Sequence, residues 1–486
     1  MAKKSLARNY VYNLIYEILI LILPIITTPY LSRILGAVGI GIYTYTYSIV
    51  TYFILFGSLG VAMYGQREIA YAQNNINSRK KIFFEIVIFR FIAIIFATII
   101  YAIIFMRSGI YSLYYRILVF ELIGAAFDIS WFFQGIEEFD KTVVRNLIVK
   151  LLSLVLIFVV VKTPEDLWKY FAIYVGAELI GNASLWLYVP KYIQKISIKD
   201  IEIKKHFLPT VQLFIPQIAI QIYVVLDKTM IGQITGSMSE VGYYEQAQKI
   251  VKAALVVTSA LQTVMASRIA NAYSRKDDQS IKNYIIKTIK FILFLTIPMA
   301  LGLVATASKF VPWYYGDNFD RAIPIIITSS PILIFIGLSG VTGIQYLVQI
   351  GKQKEFTISV VIGAVINTII NIVLISFFQS IGAAIASSIA EAVILLVQLH
   401  YVKEVLKIQD IIKNSIKCII AGIVMFLIVK ILVFYLSISI INTAIEVLVG
   451  IIIYLIVLKL LRYDLLEELI GMVNNYKQNK FKGEKA

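Results

Sequence analysis

Nine lysines and arginines fall inside stretches apolar enough to be membrane: Arg33, Arg90, Arg145, Lys150, Lys228, Lys249, Lys252, Lys290 and Lys430. A charge at the bilayer centre costs about 2.5–3.5 kcal/mol even on the lenient insertion scale. Such groups persist where they face a wet or protein-lined interior, and their sign selects what that interior holds. The densest group reads Tyr243-Tyr244-Glu245-Gln246-Ala247-Gln248-Lys249-Ile250-Val251-Lys252. Lys249 and Lys252 are three apart, and Glu245 and Gln248 each precede one of them by four. A helix therefore carries them as one polar stripe with tyrosines at its outer end. Lysines and amides, Gln246 among them, suit phosphate and hydroxyl groups, and tyrosines suit sugar rings. The alternative is a helix face buried against polar neighbours.

Carboxylates share the same depth. Glu85 and Arg90, Glu121 and Asp128, Arg145 and Lys150, and Glu178 with Asn182 lie on four successive apolar runs. Inter-helix ion pairs, such as Arg90 with Asp128 or Glu178, are the common fate of intramembrane charge. The other reading of Asp128 and Glu178 is proton or ion coupling, and Asp227 joins them in it. Asp227 and Lys228 are adjacent, so they point about 100° apart on a helix and meet different partners. Arg33 either serves the interior or snorkels to the outer interface, and Lys290 snorkels near an inner end. Asn367 and Asn371, four apart, glue helices. Pro24 and Pro29 bend the first helix, which also carries Glu17.

Several chemistries are excluded. One cysteine, Cys418, allows neither an internal disulfide nor a multi-cysteine metal site. Two histidines, His206 and His400, leave little room for zinc or a histidine proton relay. No Walker-type phosphate loop is present, so any active transport is secondary. We expect no catalytic residues, metal or cofactor. The net charge of +16 is compatible with nucleic acid, but the basic residues fall between apolar runs, where the positive-inside rule puts them.

These side chains must be positioned by helices. The chain is 59% hydrophobic and 15% charged, against about 25% charged for a soluble protein. Apolar runs near 20 residues recur without period-two alternation, which argues for helical spans and against a β-barrel. About fourteen spans are expected, at roughly 10–33, 38–62, 83–106, 113–134, 142–162, 167–190, 208–235, 241–270, 284–308, 322–349, 356–378, 381–402, 412–435 and 440–461. Alternate connections are rich in Lys and Arg, which places both termini in the cytoplasm. The basic start Met1-Ala2-Lys3-Lys4 leads straight into a full-length span, so no removable signal peptide is expected. The opposite connections are short.

A proline-bearing helix followed by a Gly-Tyr entry occurs twice, at Pro24, Pro29, Gly36, Gly39, Gly41 and Tyr43, and again at Pro209, Pro216, Gly232, Gly242 and Tyr243. The expected fold is an all-α integral membrane protein. It has two pseudo-symmetric six-helix lobes, 1–206 and 207–405, around a central cavity. Two further helices at 406–462 and a basic cytoplasmic tail at 463–486 complete it. Such repeats place a substrate site between lobes that rock to give alternating access.

The ordered segments Pro29-Tyr30-Leu31-Ser32-Arg33-Ile34-Leu35-Gly36, Gly65-Gln66-Arg67-Glu68-Ile69-Ala70, Asp128-Ile129-Ser130-Trp131-Phe132-Phe133-Gln134-Gly135 and Leu226-Asp227-Lys228-Thr229-Met230-Ile231-Gly232 with Gly242-Tyr243-Tyr244 resemble those of Wzx-type oligosaccharide flippases. The resemblance spans about the first 350 residues. It implies the multidrug/oligosaccharidyl-lipid/polysaccharide exporter superfamily in the bacterial cytoplasmic membrane. The implied activity is flipping of undecaprenyl-pyrophosphate-linked repeat units from the cytoplasmic to the outer leaflet, and coupling to an ion gradient is the expectation that Asp128, Glu178 and Asp227 carry. The implied partners are the lipid-linked oligosaccharide, membrane lipids and a glycan polymerase of the same pathway. Arg90, Arg145, Lys249 and Lys252 are then expected to hold the diphosphate, with Arg33 and Lys228 receiving it toward the outside. A lipid II-type flippase and a multidrug/cation antiporter of the same fold are the alternatives.

Overall fold

The structure, a computed structural model, describes the backbone of residues 6–107, 109–193, 201–406, 408–468 and 471. Side chains are described from Leu23 onward, apart from scattered positions within 213–224, 257–260 and 407–414. Glu17, Lys195, Lys199, Gln217 and most of the basic tail lie outside the described side chains. Among the described residues there is helix and short connection, and no strand. Hydrocarbon enforces this, because a helix alone satisfies every backbone amide and carbonyl within one apolar segment.

The first of two units, Met1–Glu245, holds α1 (Leu6–Ser58), α2 (Val61–Tyr71), α3 (Ile76–Phe105), α4 (Ser112–Phe127), α5 (Ser130–Gly135), α6 (Phe139–Val160), α7 (Leu167–Ser184), α8 (Phe207–Thr235) and the start of α9 (Met238–Ser274). The second, Gln246–Ala486, holds the rest of α9, α10 (Asp278–Tyr315), α11 (Ala322–Ser329), α12 (Ile332–Ser339), α13 (Gln353–Tyr401), α14 (Ile408–Tyr435) and α15 (Ile440–Leu460). The sequence pattern divides the lobes after residue 206. The compact units divide after Glu245, since α8 packs on α1 and α2.

Among the described residues, ten helices are long and apolar enough to cross a membrane, or eleven if bent α9 counts as one span. Two of them, Leu23–Tyr71 and Gln353–Tyr401, run 49 residues each, about 74 Å at 1.5 Å per residue against a bilayer core of about 30 Å. Each has length for two crossings, which narrows the gap to the expected fourteen without closing it. Breaks fall where the sequence separates the spans, at Gly36 (φ 63°, ψ 179°) and Gln379 (φ 55°, ψ −132°). Gly36 occupies backbone space open essentially to glycine alone. A Cβ added there meets nothing within 4 Å, so the requirement lies in the dihedrals and not in packing.

The remaining motif glycines work by close approach. A Cβ on Gly41 collides with the carbonyl of Met238, and one on Gly242 collides with the carbonyl of Ala37. The second half of α1 and the start of α9 therefore pack backbone to backbone, as small residues permit. Gly65 of α2 lies under the Trp131 ring of α5, and Gly135 lies against Ile69 and the Gln66 carbonyl. Two motif segments some 65 residues apart thus meet in space.

The segment entering α8 is tied down by a buried carboxylate. Glu85 of α3 accepts the backbone N–H of Glu202 at 2.8 Å, pairs with Lys205 at 2.9 Å and lies 2.8 Å from Nε2 of His206. The other ring nitrogen of His206 is 2.7 Å from the Tyr64 hydroxyl of α2. Burial pulls the Lys205 ammonium down, but its bonds to Glu85 and Glu202 outweigh this and leave it above its ordinary value. Hydrogen bonds from Lys81 and Lys205 hold the Glu202 carboxyl below the usual range.

Candidate functional site

A cavity of about 550 Å³ opens inside the first unit. Its wall draws on α1 (Tyr47, Thr51), α3 (Arg90), α4 (Glu121), the break after it (Asp128), α5 (Ser130, Gln134), α6 (Thr142, Arg145, Asn146, Lys150) and α7 (Glu178, Asn182). The helix repeat explains the α6 row, since Thr142, Asn146 and Lys150 are spaced by four and share a face. Gly181 of α7 makes room for Arg145, because a Cβ there sits 3.3 Å from the nearer guanidinium nitrogen.

The break between α4 and α5 sets Asp128 in place. Its Oδ1 accepts the Ser130 N–H at 2.9 Å, and its Oδ2 accepts from Nη2 of Arg90 at 3.4 Å. Arg90 is buried, and this pair uses one of its three nitrogens; Nε and Nη1 find no hydrogen-bond partner among the described residues. Glu121 accepts from the Tyr47 hydroxyl at 3.3 Å through Oε1, while its buried Oε2 has no partner among the described residues. Glu178 is near enough for the two carboxylates to oppose each other's charge. Tyr43, Tyr47, Tyr170 and Tyr174 cluster beside them, Tyr43 stacked on Tyr47 and the pairs Tyr43–Tyr170 and Tyr47–Tyr174 edge to face, with ring centroids 4.8–5.7 Å apart. The wall thus holds three cations (Arg90, Arg145, Lys150) and three carboxylates (Glu121, Asp128, Glu178). It is dipolar rather than uniformly positive.

The structure brings four of the expected site residues together here: Arg90, Arg145, Asp128 and Glu178. The others lie elsewhere. Asp227 and Lys228 of α8 meet adjacent residues of α9: the Tyr244 hydroxyl donates to Asp227 at 2.5 Å, and Lys228 pairs with Glu245 at 2.5 Å. Gln246 is fully buried in the second unit, where its carbonyl accepts from the Tyr315 hydroxyl at 2.7 Å. Lys249 is half-buried and Lys252 exposed. Arg33 is exposed and reaches back to the Pro29 carbonyl at 3.4 Å. Lys290 pairs with Asp464 at 3.4 Å. Lys430 is exposed one turn from the end of α14 and can snorkel. Tyr47 and Asn146 did not stand out in the sequence, because an uncharged side chain in an apolar run carries no transfer cost large enough to mark it.

A multi-span helical chain with a charged chamber inside one bundle is a transporter by architecture. The chain is matched over residues 6–266 by the family model described as "Polysaccharide biosynthesis protein", and over 185–456 by that of "Lipid II flippase MurJ". Similar proteins include one named "Putative O-antigen transporter" from Escherichia coli (strain K12), 26% identical over 73% of this chain and 86% of its own. Another of that name, from Shigella dysenteriae, is 23% identical over 70% and 86%. Among solved structures, the inward closed conformation of lipid II flippase MurJ has TM-score 0.75 at 18% identity, covering 94% of this chain and 99% of that one. An inward-facing multidrug resistance MATE family transporter has TM-score 0.62 at 12% identity, covering 81% and 99%. The chain belongs to the polysaccharide biosynthesis protein family, and its Wzx-type motifs agree with that.

Proposed function

We propose that this protein flips lipid-linked oligosaccharide, carrying undecaprenyl-pyrophosphate-linked repeat units from the cytoplasmic to the outer leaflet by alternating access. The observation that carries the reading is the dipolar cavity within the membrane-spanning helices of the first unit. Phosphate oxygens call for N–H donors, and guanidinium groups offer them in a fork. Sugar hydroxyls both donate and accept, and Glu178, Asn146, Asn182 and Gln134 match them. Arg90 and Arg145, with Lys150, are assigned to the head group. Asp128, Glu178 and Asp227 are assigned to ion coupling or to holding the cations in place. The roles of Arg33, Lys228, Gln246, Lys249 and Lys252 rest on the sequence pattern.

Arg90, Arg145 and Lys150 offset the three carboxylates that a drug cation would need, which disfavours the multidrug antiporter. The lipid II-type flippase remains the second reading, because its substrate shares the pyrophosphate and its family model covers residues 185–456. Transport without covalent chemistry, both termini in the cytoplasm, and a glycan polymerase as partner complete the proposal. The test is complementation in cells lacking the matching flippase. Arg145→Ala/Lys150→Ala is expected to cut glycan export at least about tenfold, as loss of charge-assisted bonds implies, with membrane abundance unchanged. The lipid-linked unit should then accumulate in the cytoplasmic leaflet. Normal export from that variant overturns the cavity assignment. Depletion of the protein without build-up of any lipid-linked glycan overturns the flippase reading.

A further inference from the structure

We propose that Glu178, with Glu121 beside it, makes the chamber of the first unit selective for repeat units whose sugars carry no acidic group. The inference rests on the flippase reading and adds a substrate class to it. The two carboxylates are brought together by helices that run the same way. Tyr114 of α4 stacks on Phe171 of α7 with ring centroids 4.6 Å apart, and farther along both helices the Asn182 amide donates to the Gly124 carbonyl at 3.1 Å. Glu121 and Glu178 stand three and four residues before that contact, about one turn on each helix. They therefore lie side by side in the chamber wall, where their charges oppose each other.

The two differ in access. Glu121 is 8% exposed and leans on the Tyr47 hydroxyl. Glu178 is half-buried, and among the described residues its carboxylate makes no hydrogen bond and no ion pair. Unlike the sealed Oε2 of Glu121, its oxygens are not closed off from the chamber. The guanidinium groups gather around the third carboxylate instead, since Arg90 pairs with Asp128 and Arg145 attracts it as well. No ion pair among the described residues neutralises Glu121 or Glu178. The chamber is thus sorted into a guanidinium pole at Asp128 and an acidic pole beside Tyr47 and Tyr174.

This sorting selects the sugar. An ionised carboxylate accepts hydrogen bonds and donates none, so sugar hydroxyls meet Glu178 as donors. A uronic acid presents a second carboxylate to it, and like charges set together in a partly desolvated site oppose binding. One proton shared between the two glutamates leaves the exclusion in place, because the pair then still carries one negative charge. The chamber volume of about 550 Å³ is that of a small-molecule site. With the diphosphate at the guanidinium pole, the sugar next to it is the one that meets the glutamates.

The test compares affinities in the purified full chain. The probes are farnesyl diphosphate and its conjugates with glucose and with glucuronic acid, which differ from each other by one carboxylate. The glucose conjugate is expected to bind at least about tenfold more tightly than the glucuronate, as like-charge juxtaposition implies. Glu178→Gln should remove most of that preference while the protein keeps its melting behaviour. Glu178→Asp keeps the charge and should keep the preference, an outcome that a merely structural role for Glu178 does not produce. Glu121→Gln should weaken the preference with Glu178 still in place, which gives a second readout of the same pair. Binding of farnesyl diphosphate with equal affinity for the two conjugates overturns the selectivity and leaves the flippase reading standing. A preference unchanged in both glutamine variants overturns its assignment to these glutamates. Failure of all three probes to bind overturns the flippase reading, and the selectivity falls with it.

Discussion

The cost of a buried charge is decided by its nearest partner, and Arg90 shows how narrow the margin is. One 3.4 Å contact to Asp128 is its hydrogen bond among the described residues, while Nε and Nη1 have none. Removing one member of a buried pair strands the other charge and costs about 3–5 kcal/mol, whereas replacing both with apolar groups is often neutral. Asp128→Asn is therefore expected to lower the thermal midpoint of the purified protein sharply. Asp128→Asn combined with Arg90→Met is expected to recover most of the loss; a double variant no more stable than the single one would show that the pair does not carry the effect. Asn keeps an acceptor for the Ser130 N–H, so the measurement isolates the ion pair.

At the scale of helices, backbone geometry and close packing make separable demands. Gly36→Ala leaves packing untouched, because a Cβ there has open space, but forces alanine into strained dihedrals at about 1–3 kcal/mol. Gly242→Ala leaves the dihedrals alone and drives a methyl into the Ala37 carbonyl. Both should destabilise, and Gly242→Ala should also separate α1 from α9, readable as lost efficiency of a disulfide engineered between them. The tie at the entry to α8 adds a pH dependence. The Glu202 carboxyl is held down, so its contribution is complete above its ordinary value of 4.5 and is lost as pH falls through the lowered one. The Lys205 ammonium is held up, so its contribution is complete below 10.5 and is lost as pH rises through the raised value. Thermal stability should stay flat across neutral pH with respect to these two groups and fall at both extremes. Glu202→Gln is expected to flatten the acid limb, and an acid limb unchanged in that variant removes Glu202 from the account.

At the scale of the whole chain, orientation is the feature most open to direct measurement. With Cys418 replaced by serine, single cysteines at Lys354 and at Asp317 should label from opposite sides of intact cells, the first cytoplasmic and the second external. Labelling from the same side contradicts the proposed topology. Much of the molecule is legible from chain order. Hydropathy marks the spans, and the two breaks at Gly36 and Gln379 fall between spans that the pattern separates. The charge pattern offered Arg90 two carboxylates at one depth, Asp128 and Glu178, and the structure pairs it with Asp128. Other features are not legible in this way. Asp227 and Lys228 look alike in sequence to cavity residues, yet both are engaged by Tyr244 and Glu245. The dipolar cavity needed Glu121 and Glu178 to arrive on the same wall as Arg145 and Lys150.

The reason for the difference is physical. Burial in lipid acts on each residue according to its own transfer free energy, so a one-dimensional reading recovers helix, span and the expense of each charge. Whether that expense is met by a partner, a neighbour's carbonyl or a ligand depends on which helix faces meet. That is set by side-chain shape and glycine contacts between segments far apart in the chain. The nine cations are visible in the chain order, but folding alone sorted Arg90 and Arg145 into a shared chamber and Lys228 into a pair with Glu245.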